Sequence, residues 1–230
     1  MSQLPLGLRR YLVIVWVIGL LVWAASWALT FEQRPISWPL LTVLLGLLIV
    51  AQSLPQHVLP GVKASLNTIP LFIAVLCLPV SAAVSMAVIG VAVAQMGRRR
   101  PWCEVSFNTA RTALEIFIGG VICAGLARVG GAWAALMTAF AAATALYLAN
   151  SALVAGAVAA QHRQPFTRIL LEVAAAEPLD HILMFLVGGL LALPWAWMPV
   201  IAGLLLAGLA VRVASAHGLV WLPNRQRIQA

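Results

Sequence analysis

Charged side chains are scarce in this sequence, and their scarcity excludes a soluble fold. Only 9% of the 230 residues are Asp, Glu, Lys or Arg, whereas 63% are hydrophobic. A soluble domain usually carries about a quarter charged residues. We therefore predict an all-α protein, a polytopic transmembrane helical bundle, with residues 1–230 forming a single integral membrane domain.

Enzyme signatures are also missing. The chain lacks H-E-x-x-H, G-x-S-x-G, a Walker glycine loop and C-x-x-C, and its four histidines are scattered. The three cysteines, Cys77, Cys103 and Cys123, are odd in number, which argues against a disulfide framework. We predict no catalytic residue, no metal site and no cofactor. The net charge of +8 comes from basic residues in short loops, which indicates membrane orientation and not nucleic-acid binding.

Six long apolar segments follow one another along the chain. Four are of a length that suits single spans, but the third and sixth exceed the roughly 20 residues that one span needs. Each of these two is broken by proline, at Pro79 and at Pro194 to Pro199, so we predict two helical hairpins and eight membrane-entering helices. The segments are 11–29, 38–54, 66–96, 107–127, 132–160 and 182–216.

The distribution of Lys and Arg predicts the orientation. With two hairpins, only Arg34 and Arg128 lie outside, and the positive-inside rule then places both termini in the cytoplasm. The chain is thus predicted to be a multi-pass protein of the cytoplasmic (inner) membrane. The same model puts tryptophans at both interfaces, and a weak duplication of 11–96 and 107–214 is a further hypothesis. The predicted inside residues are Arg9, Arg10, Lys63, Arg98, Arg99, Arg100, Arg163, Arg168, Arg225 and Arg227.

Polar residues inside apolar segments are the candidate ligand site. Asn108, Arg111 and Glu115 share one helical face with Glu104, and Arg111 is close enough to Glu115 to pair with it inside the bundle. Two interpretations stay open: a patch that faces a ligand cavity or coupling surface, or a buried ion pair that fixes helix packing. Two amides complete the candidate polar core: Asn67, expected to cap the third segment, and Asn150, expected to bond between helices.

A second polar set lies between the fifth and sixth segments. Phe166, Ile169, Leu170 and Val173 fall on one helical face, which predicts an amphipathic helix on the inner membrane surface; a solvated loop is the alternative. We interpret the charged residues around it, with the basic cluster before the fourth segment, as a cytoplasmic partner surface. Its members are Arg98, Arg99, Arg100, Glu172, Glu177, Asp180 and His181.

Several short stretches resemble a known membrane domain. They are 59–66 (LPGVKASL), 98–102 (RRRPW), 105–110 (VSFNTA), and 150–154 (NSALV) followed by 164–166 (QPF). Together they resemble the multi-helix domain found N-terminal to bacterial HD-GYP-type phosphohydrolases and diguanylate cyclases. The resemblance implies a sensory or anchoring domain without catalytic residues. The short tail after Ala216 would leave it free-standing, and Arg111 and Glu115 depart from the uncharged residues expected there.

Three functions follow from these observations. The first is a non-enzymatic bacterial membrane protein, sensor-like or anchoring, that acts through a signalling partner. The second is a small-solute-binding membrane subunit that resembles the substrate-binding component of energy-coupling vitamin transporters and would contact other transporter subunits. The third is a membrane-embedded enzyme. In each case the lipid bilayer is a partner, a homo-oligomer is allowed, and nucleic acid is not expected.

Overall fold

A computed structural model describes most of the first 192 residues. Within them the chain forms eight α-helices and a short antiparallel strand pair, β1 (His57–Leu59) with β2 (Val62–Lys63). The described residues are 5–28, 35–53, 57–59, 62–63, 66–126, 131–176 and 178–192. The helices are α1 (Leu6–Ala28), α2 (Trp38–Ser53), α3 (Thr68–Cys77), α4 (Val80–Gly97), α5 (Trp102–Leu126), α6 (Ala132–His162), α7 (Phe166–Ala176) and α8 (Pro178–Ala192).

Four described helices are long and apolar enough to cross a membrane. These are α1, α4, α5 and α6, whereas α2, α3 and α8 are apolar but shorter. The predicted class, a helical membrane protein, is therefore confirmed. The number of crossings and the orientation of the termini stay predictions. The Pro194 to Pro199 reversal and the arm after it lie outside the described residues.

The break in the third apolar segment falls where the sequence predicts it. Helix α3 ends at Cys77 and α4 begins at Val80, because proline disfavours helical backbone in the preceding residue. Leu78 is accordingly extended, with φ −107° and ψ 155°, and Pro79 follows with φ −56° and ψ 148°. The two arms separate after this break, however. Helix α3 packs mainly against α8, and α4 packs mainly against α5 and α2.

Helix α3 is the most enclosed element of the fold. Six consecutive residues, Pro70 to Val75, are buried, so no side of this helix faces outward over that stretch. A helix that is apolar all round is one that its neighbours surround. The Phe72 ring meets the edge of the Phe185 ring of α8 at 5.0 Å between centroids, and Gly188 lets α8 approach Phe72 closely. The core therefore centres on α3, with α2, α5 and α8 around it.

Residues 166–176 form a helix and not a loop. Helix α7 buries Ile169 against Ala155 and Ala159 of α6, with Val173 on the same face. The predicted amphipathic helix is confirmed, and the solvated-loop alternative is wrong. Phe166, the first residue of the helix, lies outside this contact with α6 and is 45% exposed. The position of α7 on the bilayer surface stays a prediction.

Two long helices end on an arginine in left-handed backbone conformation. Arg99, just after α4, has φ 53°, and Arg163, just after α6, has φ 54°. At the first of these ends the Arg100 N–H donates to the Gln95 carbonyl at 3.2 Å, which is the long bond of a Schellman motif. Glycine is the usual residue here, because a side chain raises the energy of this conformation by about 1 to 2 kcal/mol.

Tryptophans lie near the ends of the long helices. Trp27 is near the end of α1, Trp38 begins α2, Trp102 begins α5, and Trp133 is the second residue of α6. All four are exposed, which agrees with the predicted interfacial belt. The remaining predicted belt residues, Trp195, Trp197 and Trp221, lie outside the described residues.

Candidate functional site

Two stripes along α5 differ in burial. Thr112 and Ile116 lie in the core, with 1% and 0% of their surface exposed. Arg111 and Glu115 are each rotated by about 100° from these residues and are half-buried, and Ile118 on the same stripe is 39% exposed. They lie where α5 meets α1 and α6, and the Nε atom of Arg111 is buried there. That both charged groups face the interior of the bundle stays a prediction.

Arg111 reaches across to helix α6. Its Nη1 donates a hydrogen bond to Oδ1 of Asn150 at 2.6 Å. A charged donor makes this bond shorter and stronger than one between neutral groups. The predicted role of Asn150, a hydrogen bond between helices, is confirmed, although its partner was not foreseen.

Arg111 does not form the expected ion pair with Glu115, although its charge still interacts with that carboxyl group. Among the described residues the ion pairs are Arg100 with Glu104 and Arg168 with Glu172, and Glu115 forms neither an ion pair nor a hydrogen bond there. The reason is the direction of Arg111, whose guanidinium group is held towards α6 by Asn150. Its Nε is buried and has no hydrogen-bond acceptor in the described part of the chain. Buried polar groups are nearly always satisfied, so this donor is unusual.

Tyr11 of α1 lies one helical turn away from this contact. Its hydroxyl donates to the Leu153 carbonyl of α6 at 2.7 Å, and its ring is 6.3 Å from the Phe107 ring of α5. Gly156 makes room for the tyrosine, because a Cβ there would collide with the ring. Sequence reasoning missed Tyr11, although a lone hydroxyl in an apolar run and a glycine in α6 were available signals. We call Tyr11, Arg111, Glu115 and Asn150 the polar seam.

The other two members of the predicted site lie elsewhere. Asn108 donates through Nδ2 to Oε1 of Gln95 at 3.1 Å, so it joins α5 to α4 and not to α6. Gln95 was missed, although it is a lone amide in an apolar helix. Asn67 occupies the N-cap position of α3, and its carbonyl accepts from the Leu71 N–H at 3.3 Å, but its side chain makes no capping bond. The five predicted residues thus divide among three places.

The basic cluster of the predicted partner surface is largely engaged within the chain. Arg98 donates through Nη1 to the Gln52 carbonyl at 2.7 Å, at the end of α2. Arg100 pairs with Glu104 at 3.5 Å, and both side chains remain about half exposed. Arg99 is exposed and held by the left-handed turn.

Of the predicted partner residues on α7 and α8, one lies on an exposed side and another packs inward. Glu172 accepts a hydrogen bond from Arg168 at 3.0 Å on the exposed side of α7. His181 instead packs inward, with its ring 5.2 Å from the Tyr147 ring of α6. The Tyr147 hydroxyl donates to the Ala174 carbonyl, so it ties α6 to α7. The remaining predicted members, Glu177 and the side chain of Asp180, lie outside the described residues.

Neither metal-binding residues in the described part of the chain nor similar proteins assign a function to this site. The part of the chain that the structure describes contains no group of three His, Cys, Asp or Glu side chains able to hold a metal ion. No family model, no curated protein and no solved structure matches this chain.

Proposed function

We propose that this chain is a non-enzymatic membrane protein, sensor-like or anchoring, that acts through a partner in the membrane and contacts that partner at the polar seam. The observation that carries the proposal is the position of Arg111 and Glu115 on a half-buried stripe of α5 that continues into exposed Ile118. Intramembrane charges are expensive and are functional by default.

The hydrogen bonding of the seam supports an external partner. A guanidinium group has five N–H donors and keeps its charge in proteins. Within the described residues Arg111 has one bond, to Asn150, and its Nε has none. Glu115 adds an acceptor without a bond of its own. A pair that served packing alone would be expected to satisfy itself. Because Nε itself is buried, a partner chain would bond to the accessible part of the guanidinium group of Arg111 and to Glu115.

The proposal extends to topology. We propose eight membrane-entering segments in the inner membrane, with both termini in the cytoplasm, because the exposed arginines at the ends of α4 and α6 would then share the inner side. Arg99→Cys should react with a thiol reagent only after the membrane is made permeable. Labelling of this cysteine in intact cells would contradict the proposed orientation.

Photocross-linking tests the seam directly. A benzophenone amino acid at Ile118, in the full chain in native membranes, should give one discrete protein adduct. The matched control is the same amino acid at Val93, which is similarly exposed at 48% but lies on α4, a helix that contributes no residue to the seam. The adduct at Ile118 should decrease about tenfold when Arg111 and Glu115 are both leucine, if the seam contributes about 1.4 kcal/mol to the contact.

Each outcome of this experiment is informative. An adduct that contains a second copy of the chain identifies the partner as a homo-oligomer. Lipid adducts alone at Ile118, or equal protein adducts at Ile118 and Val93, contradict the proposal. Circular dichroism and size-exclusion chromatography of the double variant show whether the loss of the adduct is a loss of fold.

A small-solute-binding subunit is the second candidate. The observation that favours it is the buried Nε of Arg111, since a solute carboxylate accepts two hydrogen bonds from one guanidinium group. Succinate and glutarate should then raise the thermal unfolding temperature of the parent but not of Arg111→Leu. Choline, which lacks a carboxylate, is the control, and an equal shift with choline or in both proteins would exclude this candidate.

A further inference from the structure

An apolar groove runs along the side of α5 that is turned away from the polar seam. Its volume is about 520 Å³. Ala113 and its neighbours on α5 form the floor, Trp16 and Leu20 of α1 form one wall, and Val88 and Ala92 of α4 form the other. Because α1 and α4 contact each other far less than either contacts α5, the groove lies open between them.

The two ends of the groove differ. At the deep end Trp23 of α1 donates through Nε1 to Oγ of Ser85 on α4 at 2.9 Å, and Trp27 donates to the same oxygen at 3.1 Å. These two bonds bridge the walls. At the other end, Met96 and Trp102 line a mouth that nothing bridges among the described residues, and both side chains are exposed.

The length of the groove matches one leaflet of a bilayer. Along α1 its lining extends from Leu12 to Trp23, which is about 16 Å at about 1.5 Å per residue. The hydrocarbon core of a bilayer is about 30 Å thick, so a single acyl chain spans about half of it. A partner helix is a poor occupant. Such a helix is about 10 Å wide and would cross both leaflets, past the Trp23 to Ser85 bridge.

The mouth of the groove carries positive charge. Arg9 is exposed and lies three residues before Leu12, on the same side of α1 as the groove lining. Arg99 and Arg100 follow Met96 on the opposite wall, and Arg100 pairs with the acid Glu104.

We infer that the groove is a binding site for one anionic diacyl phospholipid, with an acyl chain between α1 and α4 and the phosphate held by Arg9 and Arg99 at the mouth. The site takes its lipid from the leaflet where α1 begins. An apolar chain fits the lining, and an anionic headgroup fits the arginines, each of which contributes about fivefold to binding of an anionic surface. The inference does not depend on the proposed function of the polar seam.

Native mass spectrometry of the full chain tests this site. The protein is reconstituted in equal amounts of phosphatidylglycerol and phosphatidylcholine with identical chains, and lipids that survive release from detergent are counted. We expect one retained phosphatidylglycerol, preferred over phosphatidylcholine by at least about fivefold. Arg9→Gln and Arg99→Gln should each lower that preference about fivefold. Arg163→Gln, another exposed arginine after a helix but outside the groove lining, should leave it unchanged.

A second pair of variants tests the groove itself. Ala92→Phe fills the groove and should abolish retention of the lipid. Val93→Phe places the same ring on the neighbouring exposed residue of α4, outside the lining, and should retain it. A phosphatidylglycerol with a diazirine near the middle of one chain gives a readout on the unaltered protein: its adducts should map to α1, α4 and α5 near Val88.

Three results would overturn the inference. They are equal retention of the two lipids by the parent, equal effects of Ala92→Phe and Val93→Phe, and diazirine adducts spread evenly over the exposed helices. The first two describe annular lipid without a specific site. The diazirine result comes from the unaltered protein, so it remains decisive even if Ala92→Phe does not fold.

Discussion

The two sides of α5 present surfaces of opposite character, one polar and one apolar. On one side the polar seam places a guanidinium group, a carboxyl group and an amide along the contact of α5 with α6. On the other side the groove presents an almost wholly apolar lining. The same two helices, α1 and α5, border both. A single helix in this fold therefore separates a surface suited to hydrogen-bonding partners from one suited to acyl chains.

A very close contact between α1 and α5 separates the polar seam from the groove. Gly19 of α1 lies against Ala110 of α5, and a Cβ on the glycine would be 2.9 Å from the Ala110 Cα. Small residues at such a crossing let helix backbones approach each other. Changes on one side should thus stay local, whereas changes at this contact should affect both.

The largest expected effect is on the polar side. Asn150→Leu removes the acceptor of the Arg111 Nη1 bond and leaves a charged donor unsatisfied, so we expect a loss of about 3 kcal/mol of stability. Replacing Arg111 and Asn150 together with leucine should cost less than the single change. Asn150→Asp, which keeps an acceptor, is the matched control. Thermal unfolding in detergent measures all three, and an Asn150→Leu protein as stable as the parent would show that the bond does not matter.

An intermediate effect is expected at the contact between the two sides. Gly19→Ala should destabilise by about 1 to 3 kcal/mol, because the backbone of Ala110 cannot move aside as a flexible side chain would. Gly46→Ala on α2 has nothing within 4 Å of the new Cβ and should be neutral or stabilising. The same thermal measurement applies. If both glycines tolerate alanine equally, α1 and α5 are not packed as closely as described.

A smaller effect is expected from the hydroxyl of the seam. Tyr11→Phe keeps the ring beside Phe107 and Gly156 but loses the 2.7 Å bond to the Leu153 carbonyl. The expected loss is about 0.5 to 1.5 kcal/mol. Tyr11→Ala loses the packing too and should cost more. Chemical unfolding followed by tryptophan fluorescence separates the two, and a Phe variant as unstable as the Ala variant would contradict the assignment.

The smallest effect is expected at an exposed ion pair. Arg168 and Glu172 lie on the outer side of α7, with 68% and 36% of their side-chain surface exposed. Arg168→Gln should change stability by about 0.5 kcal/mol or less, since water and salt screen such pairs. The effect should shrink further in 0.5 M salt, whereas that of Asn150→Leu should not. A loss comparable to that of Asn150→Leu would remove the distinction between buried and exposed polar contacts.

The sequence was sufficient for the features that depend on local pattern. Apolar length identified α1, α4, α5 and α6, proline placed the break at Leu78 and Pro79, and a 3.6-residue period predicted α7. Each of these features depends on residues of a single segment, so the sequence of that segment is enough to predict it. Arg111 and Asn150 were likewise singled out, because intramembrane polar residues are rare whatever their partners.

The partners themselves were beyond local reasoning. Spacing alone paired Arg111 with Glu115, since i and i+4 positions lie close together on a helix. In the structure Arg111 bonds instead to Asn150, 39 residues away, because helix packing determines which acceptor lies nearer. The same holds for Asn108 with Gln95, and for the packing of α3 against α8 in place of α4.

The enclosure of α3 also has a consequence for the order of biogenesis. Its ten residues give a helix of about 15 Å, half the thickness of the hydrocarbon, so it cannot partition into the bilayer as an independent span. Its main neighbour, α8, begins at Pro178, about a hundred residues of synthesis after Cys77 and hence about 5 to 20 s later at the ribosome. During that interval α3 lacks the surface that buries Phe72. We therefore expect α3 to reach its final position last. It does so by a rearrangement within the membrane, after the long helices have been inserted.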